Sequence, residues 1–528
     1  MSNTTIALPT PAQLAWQDME LAMFIHMDPC VWQNTQGSNA LLPLDQYNPE
    51  RLDAEQWVDV AVSLGARLVL LVCKHRGGFC MWQTETSNYG VKDTPWRGGK
   101  GDIVGDVSAA CRRRGLKFGV YLAPQDLVHG AGLKGLCRTA AAQEAYNRIF
   151  RQQLTELLTR YGDVHEVWFD GSLAIEVGDI LSRKVPDTMI FQSPHATIRW
   201  VGTESGFGPY PGWNAVTHED ALSGVATAAH GNPDGDVWLP LEVDTTIRDH
   251  QWFWNEGCED KLKSLDHLMN TYYQSVGHGA VLLLNANPDR TGLVPEADAR
   301  RAAEFGAEIR RRFATAVAET SGEGTVVELP LKEPTVIDHV VTMEDIVGGE
   351  RIRAYAIEGL INGQWQELVT GSAVGHKKID FFPPQTVAAV RLNVRQSAGQ
   401  PLIRQLGVYH AGVTPAFERN RVRIEKPTSI GSWADAGSEW TTRTFDITEV
   451  CRQARQYTIR FMPAAGTNPY EIELPVFVQD AIEIPGFVTE IVPGQRYRLN
   501  VTAASGQKAL RFRVRSVAGT AAGSVIVA

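Results

Sequence analysis

Residues 53–75 read DAEQWVDVAVSLGARLVLLVCKH. The first half places Trp57, Ala61 and Leu64 on one face at helical spacing, with Asp53 positioned to cap the helix. After Gly65 the pattern changes. Residues 67–75 form a continuous apolar run that ends in Lys74 and His75, the mark of a strand buried on both faces. The same alternation recurs along the first 313 residues. Apolar runs at 22–28, 117–126, 164–170, 187–193, 236–244 and 279–289 alternate with helical patterns at 102–115, 145–162, 260–277 and 295–313. Seven strands are clear. Doubly buried strands separated by helices mean a parallel sheet. The expected fold class is α/β, a (β/α)8-like, TIM-type barrel over residues 1–313 with one irregular element. No glycine-rich phosphate turn follows the first strand, so an open dinucleotide-binding sheet has no support.

Beyond residue 313 the helical spacing stops. TVVELPL, RIRAYAIEGLI, AVRLNVRQ and IRQLGVYHA alternate with period two and predict a β-sandwich over 314–411. WTTRTFDITEV, QYTIRFMP and YRLNVTAA predict a second small β-domain over 412–528, with GVTPAFERN (412–420) as the linker. The net charge of −10 argues against a nucleic-acid partner. No 18-residue apolar run suggests a membrane span. The N-terminal stretch lacks the basic and apolar regions of a signal peptide. The seven cysteines are scattered, with no CxxC pair, and read as reduced thiols. A cytoplasmic location is expected, or a secreted or periplasmic one if a signal has been removed.

In a barrel of this kind the site forms at the C-terminal ends of the strands. Those ends carry His26 and Asp28, then Lys74, His75 and Arg76, then Asp126, Asp170 and His195, and finally Glu242, Asp244 and Arg248. Glu204 lies in RWVGTESG, between the fifth and sixth expected strands. Each has a purely structural reading as well. His26 or His75 fits a satisfied core histidine, Asp28 or Asp126 a loop cap, Asp244 an ion pair with Arg248, and Glu204 a solvated acid. Asp170 resists such a reading. It follows Val167, Trp168 and Phe169 directly, and Gly171 permits a sharp turn and a close ligand. Trp200, Tyr210, Trp213, Trp252, Phe253 and Trp254 fall in or beside loops of the same face. Aromatic rings with acids fit a sugar, whose C–H face packs on rings while its hydroxyls need polar partners. Metal-dependent hydrolysis would draw on His26, His195 and Asp289, but strand one reads His-Met-Asp and strand six offers Glu in place of His. That ligand count is poor. Glycoside hydrolysis by two carboxylates needs neither metal nor cofactor, and Asp170 with Glu204 or Glu242 supplies the pair.

FIHMDP, LVLLVCKHRGGFCMWQTETSNYGVKDTPW, RRRGLKFGVYLAP, LTELLTRYGDVHEVWFDGS, RWVGTESG, LPLEVDTTIRDHQWFW and VGHGAVLLLNANPDRTGLVPE, taken in order across residues 12–313, resemble glycoside hydrolase family 29, the α-L-fucosidases. RWVG-E and LLLN-PD-GL look most like the subfamily that prefers branched α-1,3/1,4-linked fucose. The resemblance implies a barrel followed by a β-sandwich, with residues 320–410 similar to a discoidin-like module. It implies a retaining exo-glycosidase that takes terminal fucose from fucosylated oligosaccharides or glycoconjugates. Asp170 matches the nucleophile and Glu204 the acid/base, with Glu242 as the alternative. His26 and His75 match positions that bond the sugar hydroxyls; Arg248 and Trp252 match positions lining the sugar and its methyl side. Arg76, Trp82, Asp126 and Trp168 complete the expected substrate-binding set. The chain departs from the family where KHRGGF replaces Lys-His-His-Asp-Gly-Phe, where HMDP replaces His-Trp-Gly, and where Gln125 replaces an aromatic platform. These positions bear on which sugar and aglycone fit.

Overall fold

The computed structural model describes residues 6–37, 40–222, 230–413, 415, 428–448, 451, 456–464, 467–479, 482–484, 496–500 and 507–527. Eight parallel strands make the main sheet: β1 (Leu21–Ile25), β2 (Leu68–Lys74), β3 (Lys117–Leu122), β4 (Glu166–Trp168), β5 (Met189–Phe191), β6 (Arg199–Trp200), β7 (Leu241–Thr246) and β8 (Val281–Asn285). Their order is β5-β4-β3-β2-β1-β8-β7-β6. A parallel bridge from Phe191 to Ile198, just ahead of β6, closes the sheet into a barrel. Its five longest helices are α1 (Ala54–Leu64), α2 (Ile103–Arg114), α3 (Ala140–Arg160), α4 (Leu265–Gln274) and α5 (Glu296–Phe313).

The 53–75 stretch shows why this barrel forms. The Asp53 carboxylate accepts the backbone N–H groups of Glu55 and Gln56, and α1 ends on Gly65 at φ 91°. In β2 side chains alternate between two apolar environments. Leu68, Leu70 and Val72 point into the barrel with Ala22, Phe24 and Leu283. Val69, Leu71 and Cys73 point outward among Trp57, Ala61 and Val107 of α1 and α2. Period two is present, but both faces are apolar, so the sequence reads as one unbroken run.

The irregular element is β6. Two residues carry no pattern, and only residues 192–198 join it to β5, without a helix. The expected strand at 236–244 divides in two. Val237–Trp238 pairs antiparallel with Ala215–Val216 in a small ribbon, and Leu241–Thr246 enters the barrel after Pro240.

After α5, six antiparallel strands between Ala318 and Tyr409 form one sheet. Two of them, Val326–Glu344 and Lys378–Ser397, run for 19 and 20 residues. Register shifts between Pro330 and Thr335 and between Ile337 and His339 bend this sheet around its own core of Val340, Ile357, Val390 and Leu406. The sheet packs on the barrel. Val341, Met343, Ile379 and Tyr409 join the barrel's outer core, and Tyr273 of α4 bonds His339 at 2.7 Å. The chain divides into compact units of residues 1–420 and 421–528. The second unit holds two four-stranded antiparallel sheets over a core that includes Trp433, Phe461, Phe512 and Val525. The expected linker at 412–420 and the 501–504 end of YRLNVTAA lie largely or wholly outside the described residues. Among the described residues no helix is long and apolar enough to cross a membrane. No disulfide joins the seven cysteines.

Candidate active site

A cavity of about 280 Å³ opens at the C-terminal ends of the barrel strands, at the small end of the range for ligand sites. Phe24, His26, Gln36, His75, Arg76, Tyr121, Gln125, Trp168, Asp170, Phe191, Gln192, Trp200, Glu204, Asp244 and Trp252 line it. Its floor is aromatic. Trp168 stacks on Phe191 with centroids 3.5 Å apart and planes within 2°, and Phe24 meets the Trp168 edge at 5.0 Å.

Asp170 stands two residues beyond β4 on a tight turn. Gly171 and Ser172 both have φ near 74°. A Cβ on Gly171 would also come within 2.9 Å of Leu133 Cδ1. Gln192, itself at φ 47°, accepts the N–H groups of Gly171 (2.7 Å) and Ser172 (3.2 Å) on its side-chain oxygen. Non-glycine residues at positive φ carry strain that persists where the surroundings demand it. Here the strain places the amide that holds the Asp170 turn. The Tyr121 hydroxyl donates to Asp170 Oδ2 at 3.0 Å. Asp170 is exposed to the cavity, with protein packed closely around its carboxyl. Burial raises its pKa against the Tyr121 bond, and the Glu204 charge raises it further.

Indole N–H groups hold the acids around it, each a donor with one use. Trp252 donates to Glu204 Oε2 at 2.8 Å, on the solvent side of the cavity. Trp200 donates to Asp244 Oδ1 at 2.6 Å. Trp168 donates downward to Glu242 Oε1 at 3.0 Å. Glu242 is fully buried beneath the cavity and hydrogen-bonds Glu166, which takes the Trp16 N–H at 2.7 Å. Burial, then the Glu166 charge, keeps the Glu242 proton well above the usual carboxylate range.

Burial also pushes Asp244 up to about 8, with the charges of Glu204 and Asp170 adding and the Trp200 bond opposing. A raised acid favours folding fully below its unfolded pKa, near the ordinary 3.8, and loses that contribution as pH rises to about 8. Asp244→Asn keeps the acceptor for Trp200 without the proton. Its melting temperature relative to the wild type should climb between about pH 5 and pH 8. An offset that stays flat across that window would contradict the raised value.

His26 is fixed from β8. Asn285 commits its amide N–H to the carbonyls of Gln251 and Trp252, so its oxygen faces His26 Nδ1 at 2.8 Å. Nδ1 therefore carries the proton, and Nε2 is left as an acceptor. Burial lowers His26 to about 3, so the ring is neutral. Asn287 binds the His26 N–H at 2.8 Å and the Trp252 carbonyl at 2.7 Å, which ties the two walls together.

Three residues of the expected substrate-binding set lie elsewhere. Asp126 turns away from the cavity to Lys74 at 2.8 Å and His129 at 3.0 Å. Burial alone would raise it, yet these partners hold it well below the usual carboxylate range. Trp82 is buried against α3, its N–H on Glu156 at 2.9 Å. Arg248 pairs with Asp298 (2.9 Å), not with Asp244, and also donates to Cys258 Sγ. His195 is exposed; at the end of the fifth strand Phe191 and Gln192 line the cavity instead. Tyr210 and Trp213 pack toward the six-stranded sheet, against the Ala373 carbonyl and the Arg353 guanidinium. Phe253 clusters with Cys30 and Val31, and Trp254 lies beside Arg290. His26, His195 and Asp289 are not gathered as a ligand set; Asp289 holds the N–H and hydroxyl of Thr291. Tyr121, Gln192, Asn285 and Asn287 are site residues beyond the sequence expectations; Gln192 after MIF and the asparagines of LLLNAN are polar ends of apolar runs and so a usable signal, whereas Tyr121 lies inside its strand.

An α-L-fucosidase family model matches residues 12–311, a stretch that contains every residue lining the cavity. The chain belongs to the α-L-fucosidase family. It is thus a glycoside hydrolase of family 29. A relative from Oryza sativa subsp. japonica is 31% identical and covers 81% of this chain and 89% of its own. The Arabidopsis thaliana Alpha-L-fucosidase 1 is 29% identical over 76% of this chain and 88% of its own. The structure of a glycoside hydrolase 29 family member from a rumen bacterium superposes with a TM-score of 0.70 at 27% identity, covering 98% of this chain and 97% of that one. A Ruminococcus gnavus GH29 fucosidase in complex with fucose gives 0.68 at 25% identity, covering 78% and 98%.

Proposed function

We propose that the chain is a retaining exo-α-L-fucosidase acting on terminal α-1,3/1,4-linked fucose of oligosaccharides or glycoconjugates, with Asp170 as nucleophile and Glu204 as acid/base. The observation that carries this reading is the pair itself. Asp170 is clamped by Tyr121 and the Gln192-held turn, and Glu204 stands close enough across the cavity for its charge to act on it. The Asp170 carboxylate attacks C1 of the sugar as the C1–O bond breaks, and Glu204 gives its proton to the departing oxygen. Glu204 then takes a proton from water, which attacks C1 and frees Asp170. The two carboxyls must start in opposite protonation states.

Glu242 suits the acid/base role poorly. Its proton is shared with Glu166 below the Trp168 ring, away from any glycosidic oxygen in the cavity. His26 Nε2 would accept a sugar hydroxyl, and the aromatic floor would take a C–H face. The bound fucose of the Ruminococcus gnavus relative supports this sugar as the glycone. The RWVGTE stretch, which places Glu204 just after β6, supports the linkage. A screen of α-1,2, α-1,3, α-1,4 and α-1,6 fucosylated oligosaccharides tests both. Release should be confined to the α-1,3 and α-1,4 compounds. Release from α-1,2 or α-1,6 alone would remove the linkage assignment, and tight fucose binding with no release from any would remove the hydrolase.

A further inference from the structure

We propose that Asp28, Cys30 and His75 form a binding site for a divalent metal of the zinc class in the wall of the cavity. One ligand atom from each lies within 4.8 Å of the other two. Asp28 is 1% exposed and Cys30 is 0% exposed; the His75 side chain is 12% exposed, toward the cavity it lines. The Cys30 backbone N–H donates to Asp28 Oδ1 at 2.7 Å, which commits that oxygen. The other oxygen, Oδ2, is 3.8 Å from His75 Nδ1, beyond hydrogen-bond reach. Both of these atoms are buried and lack a hydrogen-bond partner. Two orphaned buried ligand atoms facing each other call for an explanation, and a shared cation supplies one.

The local chain favours such a site. In HMDPC, just past β1, Pro29 fixes the backbone between Asp28 and Cys30, and His75 follows the neighbouring strand β2. A thiolate, an imidazole and a carboxylate suit a borderline-soft ion, and three protein ligands leave a fourth position for water. The cavity provides the entry path through His75. Binding would release the Cys30 thiol proton, which at present is shared with Asp28, to solvent. A metal on Nδ1 also leaves Nε2 as the N–H donor of the ring, so occupancy would fix what His75 offers a sugar hydroxyl. The proposal does not depend on the hydrolytic reading.

The test uses the full chain stripped with EDTA and titrated with Co²⁺. A thiolate-to-cobalt charge-transfer band should saturate at one equivalent and bleach when Zn²⁺ is added. Cys30→Ser should lose the band and bind at least roughly tenfold more weakly. Asp28→Asn should keep the band with weakened affinity, which covers the case in which Cys30→Ser does not fold. Cys137→Ser, at a partly exposed cysteine outside the cluster, should titrate like the wild type. Zn²⁺ should also raise the melting temperature of the wild type but not of Cys30→Ser. No band at one equivalent, which would leave only an Asp28–His75 contact, overturns the site. So does an unchanged band in Cys30→Ser, or an unchanged affinity in Asp28→Asn.

Discussion

Asp170→Ala is expected to lower kcat/KM for 4-nitrophenyl α-L-fucoside by about 10⁴-fold or more, while the chain stays folded. The loss follows from the chemistry, because without the carboxylate no glycosyl-enzyme bond forms. The intact fold follows from the environment. Asp170 opens to the cavity, and its carboxyl is a burden there, raised by burial and by the Glu204 charge. Removing it should leave the melting temperature unchanged or higher, as happens when a strained functional group is deleted. In the wild type the same raised pKa sets the acid limb of the rate profile. Asp170 must be ionised to attack, so activity should fall as pH drops through a value above the ordinary 3.8 of a free aspartate. A variant with more than a tenth of wild-type activity would exclude Asp170 as the nucleophile.

Glu204→Ala should separate substrates by leaving group. An oligosaccharide needs its departing oxygen protonated, and loss of general acid catalysis there is expected to cost about 10²–10⁴-fold. 4-Nitrophenolate leaves without a proton, so cleavage of the aryl fucoside should suffer much less in the first step. Azide should then restore turnover by replacing activated water, giving a fucosyl azide of retained configuration. Glu242→Gln serves as the contrast. It removes the proton shared with Glu166 but no group in the cavity, so its effect should be similar on both substrates. Equal losses on both substrates for Glu204→Ala, with no azide effect, would move the acid/base role elsewhere.

Much of this molecule is legible in its sequence because barrel strands are buried on both faces. β2 reads as an unbroken apolar run since Leu70 and Leu71 enter different cores. β6 does not read at all, since Arg199 and Trp200 are too few to show a period. The same limit explains the site. Asp170 is legible because Phe169 and Gly171 bracket it. Past a strand end, however, period two no longer says which way a side chain points. Asp126 and Arg248 stand at such places and turn to Lys74 and Asp298. The partners that hold the site are distant in sequence. Gln192 reaches Gly171, Asn285 reaches His26, and Trp252 reaches Glu204, so no local motif announces them. Asp244 shows the limit most sharply. As a sequence letter beside Arg248 it suggests an ion pair, whereas in the barrel Trp200 and burial make it a third carboxyl in the cavity, raised to about 8.

Covalent trapping reaches the centre of the mechanism most directly. The full chain is incubated with a 2-deoxy-2-fluoro-L-fucosyl donor bearing a good leaving group, and its peptides are analysed by mass spectrometry. One deoxyfluorofucosyl group per chain should be found, on the peptide that contains Asp170 and on that side chain. A label on Glu204, Asp244 or any other acid, or no label from a chain that turns over the aryl fucoside, would contradict a double displacement through Asp170.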